Sequence, residues 1–190
     1  MAETTKTADT KKLTRNIAFI GFMGSGKTSV SSELAKRLDT ASLDTDKIVE
    51  ALAGMSVAQI FETGGESAFR TMETNVLGQA LTMGQPTPVA CGGGAILDPV
   101  NVELLKDHAY VIYLKVDPDQ IRARIDDPST RPLIKAMSEP NELAELLASR
   151  EVLYEDAADT SIDTTGFSIA EVVDRVEAIL ADESLGLLEG

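Results

Sequence analysis

Apolar positions along the chain follow two alternating rhythms. Short runs with strand character at 16–20, 41–44, 87–91, 109–115 and 160–163 are separated by longer stretches with helical spacing. Ile17-Ala18-Phe19-Ile20 reads as a fully buried strand, and Ala109-Tyr110-Val111-Ile112-Tyr113-Leu114-Lys115 is the clearest of the five. Helices are expected over 27–38, 46–53, 56–63, 66–82, 99–106, 118–126, 140–156 and 168–181. In the first, Val30, Leu34 and Leu38 recur every fourth position. In the last, Ile169, Val172, Val173, Val176, Ile179 and Leu180 share one face. Strand alternating with helix predicts an α/β fold, with a parallel sheet covered by helices on both sides in a three-layer α/β/α sandwich. The stretch 127–139 carries Pro128 and Pro132, with Pro140 just beyond, and reads as a loop or lid rather than a helix. There is no internal repeat.

Between the first strand and the first helix lies Gly21-Phe22-Met23-Gly24-Ser25-Gly26-Lys27-Thr28, which fits G-x-x-x-x-G-K-[ST], the phosphate-binding P-loop. Glycines let backbone N–H groups turn toward phosphate oxygens where a Cβ would obstruct them. Lys27 would set a cation against the β- and γ-phosphates, and Thr28 would offer its hydroxyl to Mg²⁺. The helix that follows adds the partial positive charge of its N-terminus.

Composition narrows the partners. At 190 residues, 43% hydrophobic and 25% charged, the chain reads as one soluble domain with a substantial core. The expected layout is a disordered tail at 1–12, a single domain at 13–183 and a frayed tail at 184–190. No apolar run is long enough to span a bilayer, and Met1 to Lys12 lacks the apolar centre of a secretory signal, so a cytoplasmic protein with no membrane partner is expected. The single Cys91 fits a reducing compartment and reads as a small buried hydrophobe. A net charge of −14 argues against nucleic acid as a partner. It also makes the few cations informative, because anionic ligands need them gathered at one place.

Several further stretches carry candidate chemistry. Asp44-Thr45-Asp46 follows the second strand, on the sheet edge where ligands of open α/β folds bind. One carboxylate could face a metal and the other an acceptor hydroxyl; equally, the pair is a solvated turn in which Asp46 caps the next helix. Arg70 and Glu73 are spaced i, i+3. A paired Arg can present its fork to a substrate carboxylate, or the two form an ordinary surface ion pair. Cys91-Gly92-Gly93-Gly94 ends the third strand, and three consecutive glycines suit a ligand or backbone needing that space, or a flexible turn. Arg131-Pro132-Leu133 sits in the lid, where an Arg can stabilise a transferring phosphoryl group. Arg124 could stack on adenine or pair with a phosphate. Arg150, within Ser149-Arg150-Glu151-Val152-Leu153-Tyr154, taken alone reads as a surface ion-pairing residue.

Taken in order, these motifs resemble the shikimate kinase family over residues 15–181. The series runs Gly21–Thr28, Leu43-Asp44-Thr45-Asp46, Ser56–Phe61, Gly65-Glu66-Ser67-Ala68-Phe69-Arg70-Thr71-Met72-Glu73, Gly92-Gly93-Gly94, Arg131-Pro132-Leu133 and Arg150–Tyr154. The resemblance implies a P-loop fold of the nucleoside monophosphate kinase type, with five parallel strands in order 2-3-1-4-5. It implies a substrate-binding region at about 45–75, a lid at about 124–138, and a monomer. The implied reaction is ATP-dependent phosphorylation of the shikimate 3-hydroxyl on the route to chorismate and the aromatic amino acids, with ATP and shikimate as partners and Mg²⁺ as cofactor. ATP would be held by Gly24, Ser25, Gly26, Lys27, Thr28 and Ser29, with Arg124 on the adenine side and Arg131 reaching in from the lid. Thr28, and Asp44 through water, would hold the metal. Asp46 would meet the reacting hydroxyl as base, Arg70 and Arg150 would hold the shikimate carboxylate, and Gly92, Gly93 and Gly94 would line its pocket. Lys27, Asp46 and Arg131 would be the catalytic set. A kinase for another small hydroxy acid such as gluconate, and an ATP-binding regulatory module without catalysis, are the alternatives. The regulatory module has no use for Asp46, Arg70, the glycine run and Arg150 together.

Overall fold

The computed structural model of the chain describes residues 11–124 and 142–189. The strands are β1 (Lys12–Leu13), β2 (Asn16–Ile20), β3 (Leu43–Asp44), β4 (Pro88–Ala90), β5 (Ala109–Lys115), β6 (Thr160–Asp163) and β7 (Leu188–Glu189). The described helices are α1 (Lys27–Arg37), α2 (Thr45–Ala53), α3 (Val57–Thr82), α4 (Pro99–His108), α5 (Pro118–Arg124), α6 (Glu142–Ala157) and α7 (Ile169–Leu180).

Five strands form a parallel sheet in the order β3-β4-β2-β5-β6. Counted among themselves, these five strands stand in the expected order 2-3-1-4-5. Every residue of β2 is buried, because β2 is the central strand and both its faces are covered. Alternation along β2 divides the core. Ile17 and Phe19 join Val30 and Leu34 of α1 and Val172, Val173 and Val176 of α7 on one face. Ala18 and Ile20 join Leu77 and Leu81 of α3, Leu105 of α4 and Tyr154 of α6 on the other. These are the three layers. A smaller cluster of Val49, Ile60, Phe69 and Val76 welds α2 to α3 beside the sheet edge.

After β2 the chain runs to one side of the sheet for β3 and β4, then crosses to the other for β5 and β6. The crevice at such a reversal opens at the carboxyl end of the central strand, and Gly21–Thr28 occupies that position. The two helices expected at 56–63 and 66–82 are joined as α3, and the break between them persists as a kink at Gly65, whose φ of 74° and ψ of 176° are not helical. Ser56 and Gln59 close its start in a reciprocal capping box.

The ends depart from expectation. Ser184–Glu189 is not frayed: Glu183–Leu185 forms a 3-10 turn, and β7 pairs antiparallel with β1, Leu13 opposite Leu188. Leu13 and Leu187 are buried in the α1/α7 core, and Thr14 ties to the same segment through Leu187 O at 3.1 Å. Apolar burial holds the closing residues down, and Lys12, assigned to the tail, lies in β1. Residues 1–10 lie outside the described residues.

Asn16 pins the entry to the central strand. Its Nδ2 donates to Leu81 O at 2.8 Å and His108 O at 3.1 Å, and its Oδ1 accepts from Thr87 N at 3.0 Å. One side chain thus ties β2 to the ends of α3 and α4 and to the residue before β4. Asn16→Ala leaves these buried groups unpaired and is expected to lower unfolding free energy by about 3 kcal/mol. Chemical denaturation measures this, and a loss under about 0.5 kcal/mol would remove Asn16 from that role.

Candidate active site

The loop after β2 is shaped by glycine where no other residue fits. A Cβ on Gly21 would lie 2.6 Å from Leu114 O, and Gly26, the N-cap of α1, holds φ at 94°. The turn brings the first residues of α1 under the loop. Lys27 folds its ammonium back, donating to Gly21 O at 2.8 Å and Phe22 O at 2.9 Å. Both are carbonyls of the loop itself, so the cation stays where an incoming phosphate would meet it.

Thr28 Oγ1 donates to Asp44 Oδ2 at 2.7 Å. The other oxygen of Asp44 accepts from Lys47 N at 3.2 Å, capping α2. The cap considered for Asp46 is therefore made by Asp44. Asp46 sits in the first turn of α2 with its carboxylate lining the cleft beside Lys27 and Thr28. Between the two acids, fully buried Thr45 accepts the N–H of Gly92 at 2.9 Å, locking α2 to the glycine run.

Each of the three glycines is set against a different part of the site. A Cβ on Gly92 would collide with Glu73 Oε1 and come within 2.7 Å of Asp46 Oδ1. One on Gly94 would strike the guanidinium of Arg70. Gly93 faces the P-loop, with its Cβ position 3.7 Å from Gly21 O and Met23 N, and its carbonyl accepts the hydroxyl of fully buried Tyr154 at 2.6 Å. The run is therefore a close-approach surface rather than a flexible turn.

Arg70 and Glu73 resolve in the same way. Arg70 Nη1 meets Glu73 Oε2 at 2.6 Å, and Glu66 holds the other side of the guanidinium at 3.1 Å. Glu73 is 1% exposed, so this is no surface pair. Its second oxygen has no hydrogen-bond partner among the described residues. Burial raises the Glu73 carboxyl above its ordinary value; Arg70 pulls it back down, and Asp46 and Asp98 push it up.

Arg150, on α6 one turn before Tyr154, places its guanidinium 5.8 Å from the centre of the Phe22 ring in the P-loop. Cys91 is buried, and burial pushes its thiol up to about 12 against the pull of Lys27, so it is no thiolate nucleophile. The expected roles of Arg131 and Arg124 rest on a residue and a side chain outside the described residues.

Lys27, Thr28, Asp44, Asp46 and Gly93 thus border one cleft of about 500 Å³. Thr164, Phe167 and Ser168, which carry no motif in the sequence, also line it. Phe167 is held by Arg175, whose guanidinium lies 3.6 Å from the ring centre. The available signal was positional: 164–168 follows the carboxyl end of β6, on the same sheet edge as the P-loop.

A phosphate loop at one end, and a pocket of carboxylates and a held guanidinium abutting it, define a P-loop kinase of small molecules. Comparison with known proteins makes this particular. The family model described as shikimate kinase matches residues 23–181. A shikimate kinase from Francisella tularensis subsp. novicida is 34% identical over 172 residues, 90% of this chain and 98% of the relative. A solved shikimate kinase from Acinetobacter baumannii in complex with shikimate superposes with a TM-score of 0.85 at 33% identity, covering 90% of this chain and 95% of that one. The Aquifex aeolicus shikimate kinase gives 0.77 at 29%, covering 90% and 99%. The chain belongs to the shikimate kinase family, phosphotransferases with an alcohol as acceptor.

The buried carboxyl has a stability signature. With its folded value above the ordinary 4.5, Glu73 binds protons more readily in the native state. As pH rises from about 4.5 through that folded value, the native state is the one losing favourable protonation, so stability falls. Subtracting the unfolding free energy of Glu73→Gln from that of the parent should give a difference that declines with pH across this window. A difference that is flat or rising would contradict the assignment.

Proposed function

We propose that the chain transfers the γ-phosphoryl group of ATP to the 3-hydroxyl of shikimate. The observation that carries this reading is the second half of the site, the Arg70–Glu73 pair packed with Asp46 against Gly92 and Gly94 beside the P-loop. Shikimate is a small carboxylate bearing several hydroxyls. It needs a cation for one end and a proton acceptor near the other, and Arg70 with Arg150 and Asp46 have that chemistry.

In the reaction, the P-loop N–H groups and Lys27 hold the phosphates. Lys27 trades its two loop carbonyls for phosphate oxygens and offsets charge on the transferring group. By family resemblance, Arg131 is assigned to the transferring group and Arg124 to the adenine. Asp46 accepts the proton of the attacking hydroxyl. Glu73 keeps Arg70 fixed, so the shikimate carboxylate meets a guanidinium already in place. Tyr154 and Thr45 hold the glycine run that shapes the pocket.

Mg²⁺ fits the residues present. Thr28 Oγ1 and Asp44 Oδ2, 2.7 Å apart at the phosphate end, are hard oxygen donors, and Mg²⁺ characteristically takes one or two protein oxygens alongside phosphates and water. When bound, the ion would neutralise charge on the phosphates. We also place the activity in the cytoplasm, in a monomer whose kinase domain spans 13–183, without nucleic acid or membrane partners. No helix among the described residues is long and apolar enough to cross a membrane.

Steady-state kinetics test the reading. ADP release from ATP should be strongly stimulated by shikimate, and release indifferent to shikimate would contradict the proposal. Arg150→Ala should raise the KM for shikimate by an amount equivalent to 2–4 kcal/mol, about one charge-assisted contact, with the KM for ATP little changed. An unchanged KM for shikimate would remove Arg150 from the site.

A further inference from the structure

A second cavity lies on the other side of the Thr28–Asp44 hydrogen bond, between α1 and α2. It holds about 700 Å³ against about 500 Å³ for the nucleotide cleft, with which it shares Thr28, Ser29, Asp44 and Ile169, and the reaction gives the rest of its lining no role. Its apolar side is built from Leu43, Ile48, Ala51 and Leu52, with Leu52 67% exposed. Its polar side carries two lysines. Lys47 lends its backbone N–H to Asp44, and its ammonium enters no ion pair among the described residues. Among the described residues Lys36 pairs with Glu33, at 3.4 Å, and Arg37 approaches the same carboxylate at 3.7 Å. Buried Ser31 lies in the wall, and its hydroxyl has no partner among the described residues.

This arrangement is out of keeping with the surface around it. The chain has 31 acidic residues against 17 Lys and Arg, so cations on a random patch would be paired or outnumbered. Here two lysines line one cavity; of its acids, Asp44 is taken by Thr28 and the Lys47 N–H, and Glu33 is shared between Lys36 and Arg37. An apolar wall opposite weakly committed cations suits one kind of small ligand, an anion carrying a hydrocarbon body.

We propose that this cavity binds a small organic carboxylate, its charge at Lys36 and Lys47 and its apolar body along Ile48, Ala51 and Leu52, and that its occupancy weakens MgATP binding. The coupling follows from the shared wall. An anion behind Thr28 and Asp44 cancels positive potential on the side where the triphosphate binds. By linkage, MgATP weakens the carboxylate to the same degree. This second clause rests on the nucleotide lying over Thr28, as proposed above. The binding clause does not.

Benzoate and uncharged benzyl alcohol separate charge from shape. The ¹⁵N-labelled full chain, titrated with benzoate without nucleotide, should show saturable amide shifts across 42–52 with a dissociation constant of about 1 mM. Benzyl alcohol should bind at least tenfold more weakly, as should benzoate to the Lys36→Ala/Lys47→Ala variant. Saturating benzoate should raise the KM for MgATP about fivefold in the parent and leave it unmoved in the variant. The proposal is overturned by no saturable shift, by shifts confined to the P-loop, by an equal response to benzyl alcohol, or by an unmoved KM for MgATP. The amide map is read without catalysis, so failure of the kinase reading itself would appear separately, as absent turnover.

Discussion

The close approach of the Gly92–Gly94 backbone to charged side chains organises the site. Three successive residues are each held by a different element. Thr45 of α2 takes the N–H of Gly92, Tyr154 of α6 gives its hydroxyl to Gly93 O, and Arg70 of α3 lies where a side chain on Gly94 would be. A carboxylate as buried as Glu73 is costly without compensation. The 2.6 Å contact with Arg70 supplies it, and in doing so fixes the guanidinium. A change in any one of these groups therefore displaces the others, which is how three separate helices come to act as one pocket.

That pocket meets the phosphate loop because of sheet register. β2 and β4 are neighbours, with Phe19 opposite Ala90, and Cys91 N continues the ladder to Phe19 O at 3.1 Å. The two strands end level, so the loop after one and the glycines after the other emerge side by side. In the proposed reaction, backbone hydrogen bonds of the core thus juxtapose donor and acceptor. On that reading the Lys27 ammonium, curled onto loop carbonyls, would mark the donor end, and Asp46 and Glu73, which flank Gly92, the acceptor end.

Much of this was legible in the chain itself. The fully buried run of β2, the alternation of strand and helix along the chain, and the strand–loop–helix setting of Gly21–Thr28 carry the fold class. The strand order and the acceptor chemistry came from the ordered resemblance to a family, since spacing alone left Asp44-Thr45-Asp46 evenly between a reactive carboxylate pair and a solvated turn capped by Asp46, and left Arg70 between a pocket and a surface pair. What decided them is tertiary. Asp44 is the cap because its second oxygen is aimed at Lys47 N while the first holds Thr28. Arg70 is inside because Glu73 is buried beneath Gly92, a contact between residues nineteen positions apart in sequence. Thr45 and Phe167 were passed over because neither type announces a role. Thr45 matters through one hydrogen bond to a distant backbone, and Phe167 through a loop that joins the cleft only once β6 is in place. The closing strand at Leu188 was missed because two apolar residues after Gly186 make no periodic pattern; burial of Leu187 explains it.

On the proposed function, the glycine-lined pocket presents one particular hydroxyl of its acceptor to the phosphoryl donor. Two-dimensional ¹H–³¹P correlation of the product formed from ATP and shikimate reads the position directly. A single phosphate ester coupled to the proton on carbon 3 is expected. An ester on another hydroxyl, a mixture of positions, or free phosphate without any ester would contradict it.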